Sequence, residues 1–210
     1  MGTITGTAIF DKASAITNDL AHVRWISSEA LGWINSGQRQ TVLFRPDAST
    51  SNAAFTLAAG TKQSIPAGHL RLIDVPRNGD GRVVRIIDRG ELDRLDPDWH
   101  TADAAPTRHY TYDPRDPKHF YVYPPAVADA TVELIGSVAP VDLAALTDPI
   151  TLDDIYEGPL IDYLLYRLFS KNGKGADPGK AQAYLNAMAT ALGAKVQVDA
   201  AAAPNTGAVK

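Results

Sequence analysis

Cysteine is absent from the 210 residues, which excludes a disulfide scaffold, thiol nucleophiles, thiolate zinc and iron–sulfur ligation together. No run of about 20 apolar residues occurs, so no membrane-spanning helix is expected. The opening MGTITGTAIFDKAS lacks the basic and apolar regions of a signal peptide, and the expectation is a soluble chain that is not exported by one. An excess of positive charge is missing too. Twenty basic against 24 acidic residues give a net charge of -4, which disfavours a sequence-independent grip on phosphate backbones. No His-Glu-x-x-His spacing, no G-x-S-x-G elbow and no internal repeat is found.

What is present begins and ends with helical periodicity. Ile9, Ala13, Ile16, Leu20 and Val23 predict an amphipathic helix over about Asp11 to Trp25. Ser27 and Ser28 are placed to cap a second helix, with Leu31, Ile34, Gln38 and Val42 on its apolar side, and Pro46 stops it by disfavouring the α region at Arg45. From Ala53 the period falls to two. HLRLIDV and RVVRIIDR flank Asn78–Gly81 as a hairpin, VELIGSVAP is a further strand, and five to six short strands lie between residues 50 and 140. After Pro149, Thr151 and Asp154 form a capping-box-like pair ahead of an Ile161, Leu164, Leu165, Leu168 stripe. Asp177 and Pro178 open a last helix that buries Ala181, Tyr184, Leu185, Met188 and Leu192, and Gly193 closes it. The predicted class is α+β: an antiparallel helical bundle from both chain ends (1–48 and 150–193), an inserted antiparallel β-sandwich or barrel (49–149), and an extended tail (194–210).

The richest chemistry lies in HYTYDPRDPKHFYVYPP, His109 to Pro125. Two aromatic five-residue segments flank PRDPK, whose prolines cannot sit in a central ladder, so a hairpin with a solvated tip is expected. Alternation puts His109, Thr111 and Asp113 on one face, and His119, Tyr121 and Tyr123 opposite Phe120 and Val122. His100 in DPDWH is a third imidazole, with Trp99 folded over the sheet. A metal-assisted hydrolase using His100, His109, His119 and Asp113 is therefore one competing expectation, although aromatic cross-strand packing explains the same residues. GADPGK, Gly175 to Lys180, departs from a phosphate loop in spacing and comes after a helix. Asn78–Gly81 lacks the acidic ligands of a calcium loop. Asp153, Asp154 and Glu157 are accounted for by a helix N-terminus, where anions meet the dipole favourably.

EALGWINSGQRQTVLFRPDA, LAAGTKQSIPAGHLRLIDVPRNG, LDRLDPDWHTAD, the histidine and tyrosine hairpin, VELIGSVAP and DIYEGPLIDYLLYRLFSKN, in that order, resemble the head-tail adaptor proteins of short-tailed bacteriophages. The resemblance spans approximately Trp25 to Lys195. It implies a structural virion protein without enzymatic activity or cofactor: a ring, typically of twelve copies, between the portal protein and the tail nozzle protein at the capsid–tail junction, assembled in the host cytoplasm. Genomic DNA would pass its lumen without specific binding, and no membrane is involved. It further implies a portal-binding tail, matched here by Ala194, Lys195, Val196, Gln197, Val198 and Val209; seventeen extended residues reach about 55 Å. The tip Pro114, Arg115, Asp116, Pro117 and Lys118 is expected to face a neighbouring subunit or the nozzle. A monomeric carbohydrate- or surface-binding β module is the other alternative.

Overall fold

The computed structural model describes residues 2–173 and 175–202. It is α+β, and the chain divides into two compact units, Met1–Ala48 with Pro140–Lys210, and Ser49–Ala139.

The first unit is helical. α1 (Gly6–Ile16) starts where the Thr5 hydroxyl accepts the Ala8 N–H at 3.2 Å, and it buries Ile9, Phe10 and Ala13. It lies earlier than the expected Asp11 to Trp25. Asn18 and His22 have φ of 54° and 52°, outside the right-handed helical region. The Asp19 carboxylate also takes the N–H groups of Val23, Arg24 and Trp25 at 3.1, 3.0 and 3.2 Å, local bonds that compete with a helix. Leu20 and Val23, expected in the core, are consequently 75% and 81% exposed.

α2 (Ser27–Phe44) has Ile26 at its cap position, so Ser27 and Ser28 occupy the first turn rather than the cap. It ends before Pro46 as expected, with Ile34, Gln38 and Val42 buried. Gly37 is required by packing: a Cβ there would sit 3.0 Å from the Tyr163 ring and 3.2 Å from Leu160. Both residues belong to α4 (Glu157–Ser170), which buries Leu160, Leu164, Leu165 and Leu168 against α1 and α2.

The Thr151 and Asp154 capping box does not form. Asp153 caps a 3₁₀ turn, Asp154–Tyr156, that leads into α4. Thr151 instead donates its N–H and hydroxyl to Gln38 Oε1 at 2.8 and 2.9 Å, while Asp154 accepts from Thr3 and Ile4. The Asn35 amide holds both the N–H and the carbonyl of Leu143. These buried amides fasten residues 140–151 to α2, which explains why 140–149, expected in the β domain, pack with the helices through Leu143 and Leu146.

α5 (Pro178–Ala202) opens at Pro178, with the Asp177 carboxylate accepting the Lys180 N–H at 3.0 Å. Met188 and Leu192 pack with Val42, Leu152, Tyr156 and Tyr163. The helix does not stop at Gly193, and the extended conformation expected from residue 194 is replaced by helix through Ala202. Glycine costs about 1 kcal/mol against alanine in a helix, and the alanine-rich sequence after it offsets that cost. Ala194, Lys195, Val196, Gln197 and Val198 therefore lie on helical backbone. Val209 lies outside the described residues.

The second unit holds two sheets. β1 (Thr50–Thr56), β7 (Thr131–Val138) and β3 (His69–Asn78) form an antiparallel sheet in the order β1-β7-β3. β2 (Gly60–Ser64), β6 (His119–Ala126), β5 (His109–Thr111) and β4 (Arg85–Ile86) form the other, in which β4 and β5 run parallel. Neither closes into a barrel. Both contribute to one cluster around Leu72, Val75, Phe120, Val122, Val132 and Leu134.

The expected hairpin about Asn78–Gly81 survives only as a turn with one bridge, Arg77 to Val83. Pro76 offers no N–H to a ladder, and Val84 turns into the core, 4% exposed. The chain then leaves β3 and joins the other sheet as β4.

Candidate functional site

The His109–Pro125 stretch folds as the expected hairpin. His109 pairs with Tyr123, Tyr110 with Val122 and Thr111 with Tyr121. Alternation sends Tyr110, Phe120 and Val122 into the shared core. The Tyr110 hydroxyl donates to Asp74 on β3 at 2.8 Å, and burial first, then that carboxylate, pushes its pKa well above the ordinary phenol value. This bond ties the hairpin to the opposite sheet.

On the other face, Trp99 is 1% exposed and meets Tyr121 and Tyr123 edge-on, at 6.1 and 6.4 Å between ring centroids. Its indole N–H donates to Asp93 at 2.9 Å, and His100 stacks on it at 3.7 Å. Trp99 thus folds over the sheet as expected. It is positioned by α3 (Arg89–Leu95), a helix too short to show in the hydrophobic periodicity. The signal was there: Asp88 and Glu91 have capping-box spacing, and the Asp88 carboxylate accepts the Glu91 N–H at 3.1 Å.

The tip is ordered by its own ions. Asp113 accepts from the backbone and guanidinium of Arg115, and those hydrogen bonds hold its carboxyl down at about 2. Asp116 accepts the His119 ring at 2.8 Å, and Lys118 reaches the His69 carbonyl. Pro114, Arg115, Asp116 and Lys118 stay exposed, with Pro117 half-buried. Between the tip and the start of α3 lies a groove of about 620 Å³. Ile86, Arg89, Tyr112, Arg115, Asp116 and Tyr121 are among its walls. Its α3 wall was not foreseen, because RVVRIIDR was expected to continue a hairpin.

The imidazoles are not brought together. His109 sits opposite Tyr123, four residues from His119 along β6, about 13 Å at strand rise. His100 bonds Thr61 at 2.8 Å, while His119 and Asp113 are engaged with Asp116 and Arg115. Among the described residues no group of three histidine or carboxylate side chains is placed to hold a metal ion, and no helix is long and apolar enough to cross a membrane. The site offers shape, aromatic surface and paired charge.

A model of the SU10 adaptor protein family matches residues 4–208. No curated protein sequence matches the chain.

Proposed function

The chain belongs to the SU10 adaptor protein family, and on that premise we propose that it is a head-to-tail adaptor that forms a ring between portal and tail nozzle. The observation that carries this reading is the extent of the family match, which takes in both units. A phage adaptor of this kind is a structural, non-enzymatic virion component. In the proposed arrangement a helical bundle carries a β-sandwich-like domain, about twelve copies close the ring at the capsid–tail junction, and the genome passes through without specific binding. The net charge of -4 supports a lumen that does not hold DNA.

We propose the contacts within the same arrangement. The portal is met by the end of α5 and the residues beyond it, through Ala194 to Val198 and Val209. Nine helical residues, 194–202, span about 14 Å where an extended chain spans about 30 Å, so the arm is shorter and stiffer than a free tail. The tip Pro114 to Lys118 meets the nozzle or a neighbouring copy. Its ion pairs and prolines support this, since a segment already ordered loses little entropy on contact.

Negative-stain imaging of the protein mixed with its portal tests the reading. The expected result is a ring seated on the portal; a portal that stays bare at high adaptor concentration overturns it.

A further inference from the structure

The two sheets of the second unit have four edges, and three of them are built to refuse a further strand. The β3 edge carries Pro76 between Arg71 and Arg77, breaks register with β7 at three places, and is met at its far end by residues 82–84. The β2 edge has Lys62 and a register shift between Gly60 and Lys62. The β4 edge is two residues long and begins with Arg85. Short length, charge, proline and bulges are the devices that stop an edge from templating another chain. β1 has none of them. Its seven residues, TSNAAFT, hold no charge, proline or glycine, and they pair with β7 without a register shift.

The bonds that bracket β1 show which of its groups are free. Val138 donates its N–H to the Ser49 carbonyl at 2.9 Å, and Leu57 donates to the Ala130 carbonyl at 2.8 Å. Odd-numbered residues of this strand therefore bond to β7, and the N–H and C=O groups of Thr50, Asn52, Ala54 and Thr56 point away from it. All four residues are exposed, and among the described residues β1 pairs with β7 alone. On one face Phe55 packs into the core, 6.2 Å from the Phe120 ring; on the other, Ala54 lies opposite Glu133. An occupant of this edge needs an open edge of its own, an apolar row toward the Phe55 face and a polar row on the reverse. Among the described strands β1 itself meets that requirement, because the other three edges are closed by the devices above.

We propose that β1 pairs with β1 of a second copy, antiparallel about a two-fold axis at Ala53, so that two three-stranded sheets become one of six. Thr50 of one copy then lies opposite Thr56 of the other, and Asn52 opposite Ala54. Every outward backbone group meets an outward group, no like charges are opposed, and the Ser51, Ala53 and Phe55 rows continue along one face. The shared edge is about 20 Å long at strand rise, far smaller than the roughly 800 Å² that each partner gives a standard interface. The pair is accordingly reversible and forms as concentration rises. All copies in a cyclic ring run the same way round, so a two-fold contact does not join neighbours within it. The pair belongs to the free protein, where it covers an edge that otherwise invites aggregation, and it is independent of the ring reading above.

The cysteine-free chain allows the register itself to be tested. In the pair, Ala53 faces the second copy's Ala53 at a non-hydrogen-bonded position, with about 4.5 Å between Cα atoms, a separation that a disulfide spans. Full-length Ala53→Cys is expected to oxidise to a covalent dimer on a denaturing gel, while Ser64→Cys, exposed on the β2 edge, stays monomeric. Sedimentation of the unmodified chain should show a mass that rises from 22.5 kDa toward twice that value with concentration. Ala54→Pro removes a donor that faces away from β7, and Ala54→Lys adds an edge charge without altering the backbone. Each should weaken association about tenfold or more, with thermal unfolding unchanged; if the proline variant misfolds, the lysine variant decides. A chain that stays monomeric at every concentration overturns the pair and leaves β1 to a strand from another protein. Association that survives both Ala54 variants, or equal cross-linking at positions 53 and 64, overturns it as well. None of these outcomes touches the adaptor reading.

Discussion

Asp154 takes hydrogen bonds from Thr3 and Ile4, and these hold its carboxyl below the usual carboxylate range. Its contribution is fully present above the unfolded value of about 3.9 and is lost as pH falls through the lower folded value. Asp154→Asn should therefore lower the melting temperature at pH 7 and flatten the acid limb of a stability profile below about pH 4. Asp162 on α4 has the opposite sign, because partial burial raises its pKa. Charge there opposes folding above the raised value and is neutral in effect below about 3.9. Asp162→Asn is expected to melt higher than the unmodified chain at pH 7, the gain disappearing in acid. Gln38 differs from both. It is fully buried, and removing its carbonyl strands the Thr151 N–H, while the Thr151 hydroxyl keeps the Val141 carbonyl at 3.2 Å. Gln38→Ala should cost about 3 kcal/mol, measured by urea unfolding at constant slope.

At the level of elements, α5 and the β5–β6 hairpin carry the proposed contacts. Gly193 is exposed, within α5, with open space around its Cα. Gly193→Ala should add about 1 kcal/mol to helix stability and raise helicity by circular dichroism. An unchanged helical signal would mean that α5 does not persist through this position in solution. The hairpin's framework lies outside its tip, in the Tyr110 to Asp74 bond and the Trp99 lid. Replacing Pro114 to Lys118 by Asn-Gly should accordingly leave the fold intact, as judged by thermal unfolding, while nozzle attachment to portal–adaptor complexes is lost. Retained attachment would leave the hairpin a purely structural role.

For the whole molecule, the two units differ in how openly the sequence announced them. Ile34, Gln38, Val42 and the Leu164, Leu165, Leu168 stripe fall where period-3.6 spacing put them, since a helix buries one stripe whatever it packs against. The family and the α+β class were legible as well. The imidazole cluster that composition suggested is dispersed by strand register, which no single segment encodes. A surface calculation on the assembled ring should give an electronegative or mixed lumen; a strongly basic lining would oppose free passage of DNA.

Local sequence by itself determined the elements whose cause is local. Pro46 ends α2, Asp177 and Pro178 start α5, and aromatic alternation makes the β5–β6 hairpin. Tertiary structure alone decided where Val84 goes, and with it the loss of the second hairpin. It decided which partner Thr151 takes, a competition between a local capping preference and a group far along the chain, Gln38. Periodicity records what a segment is able to bury, and only the packed chain settles what it does bury.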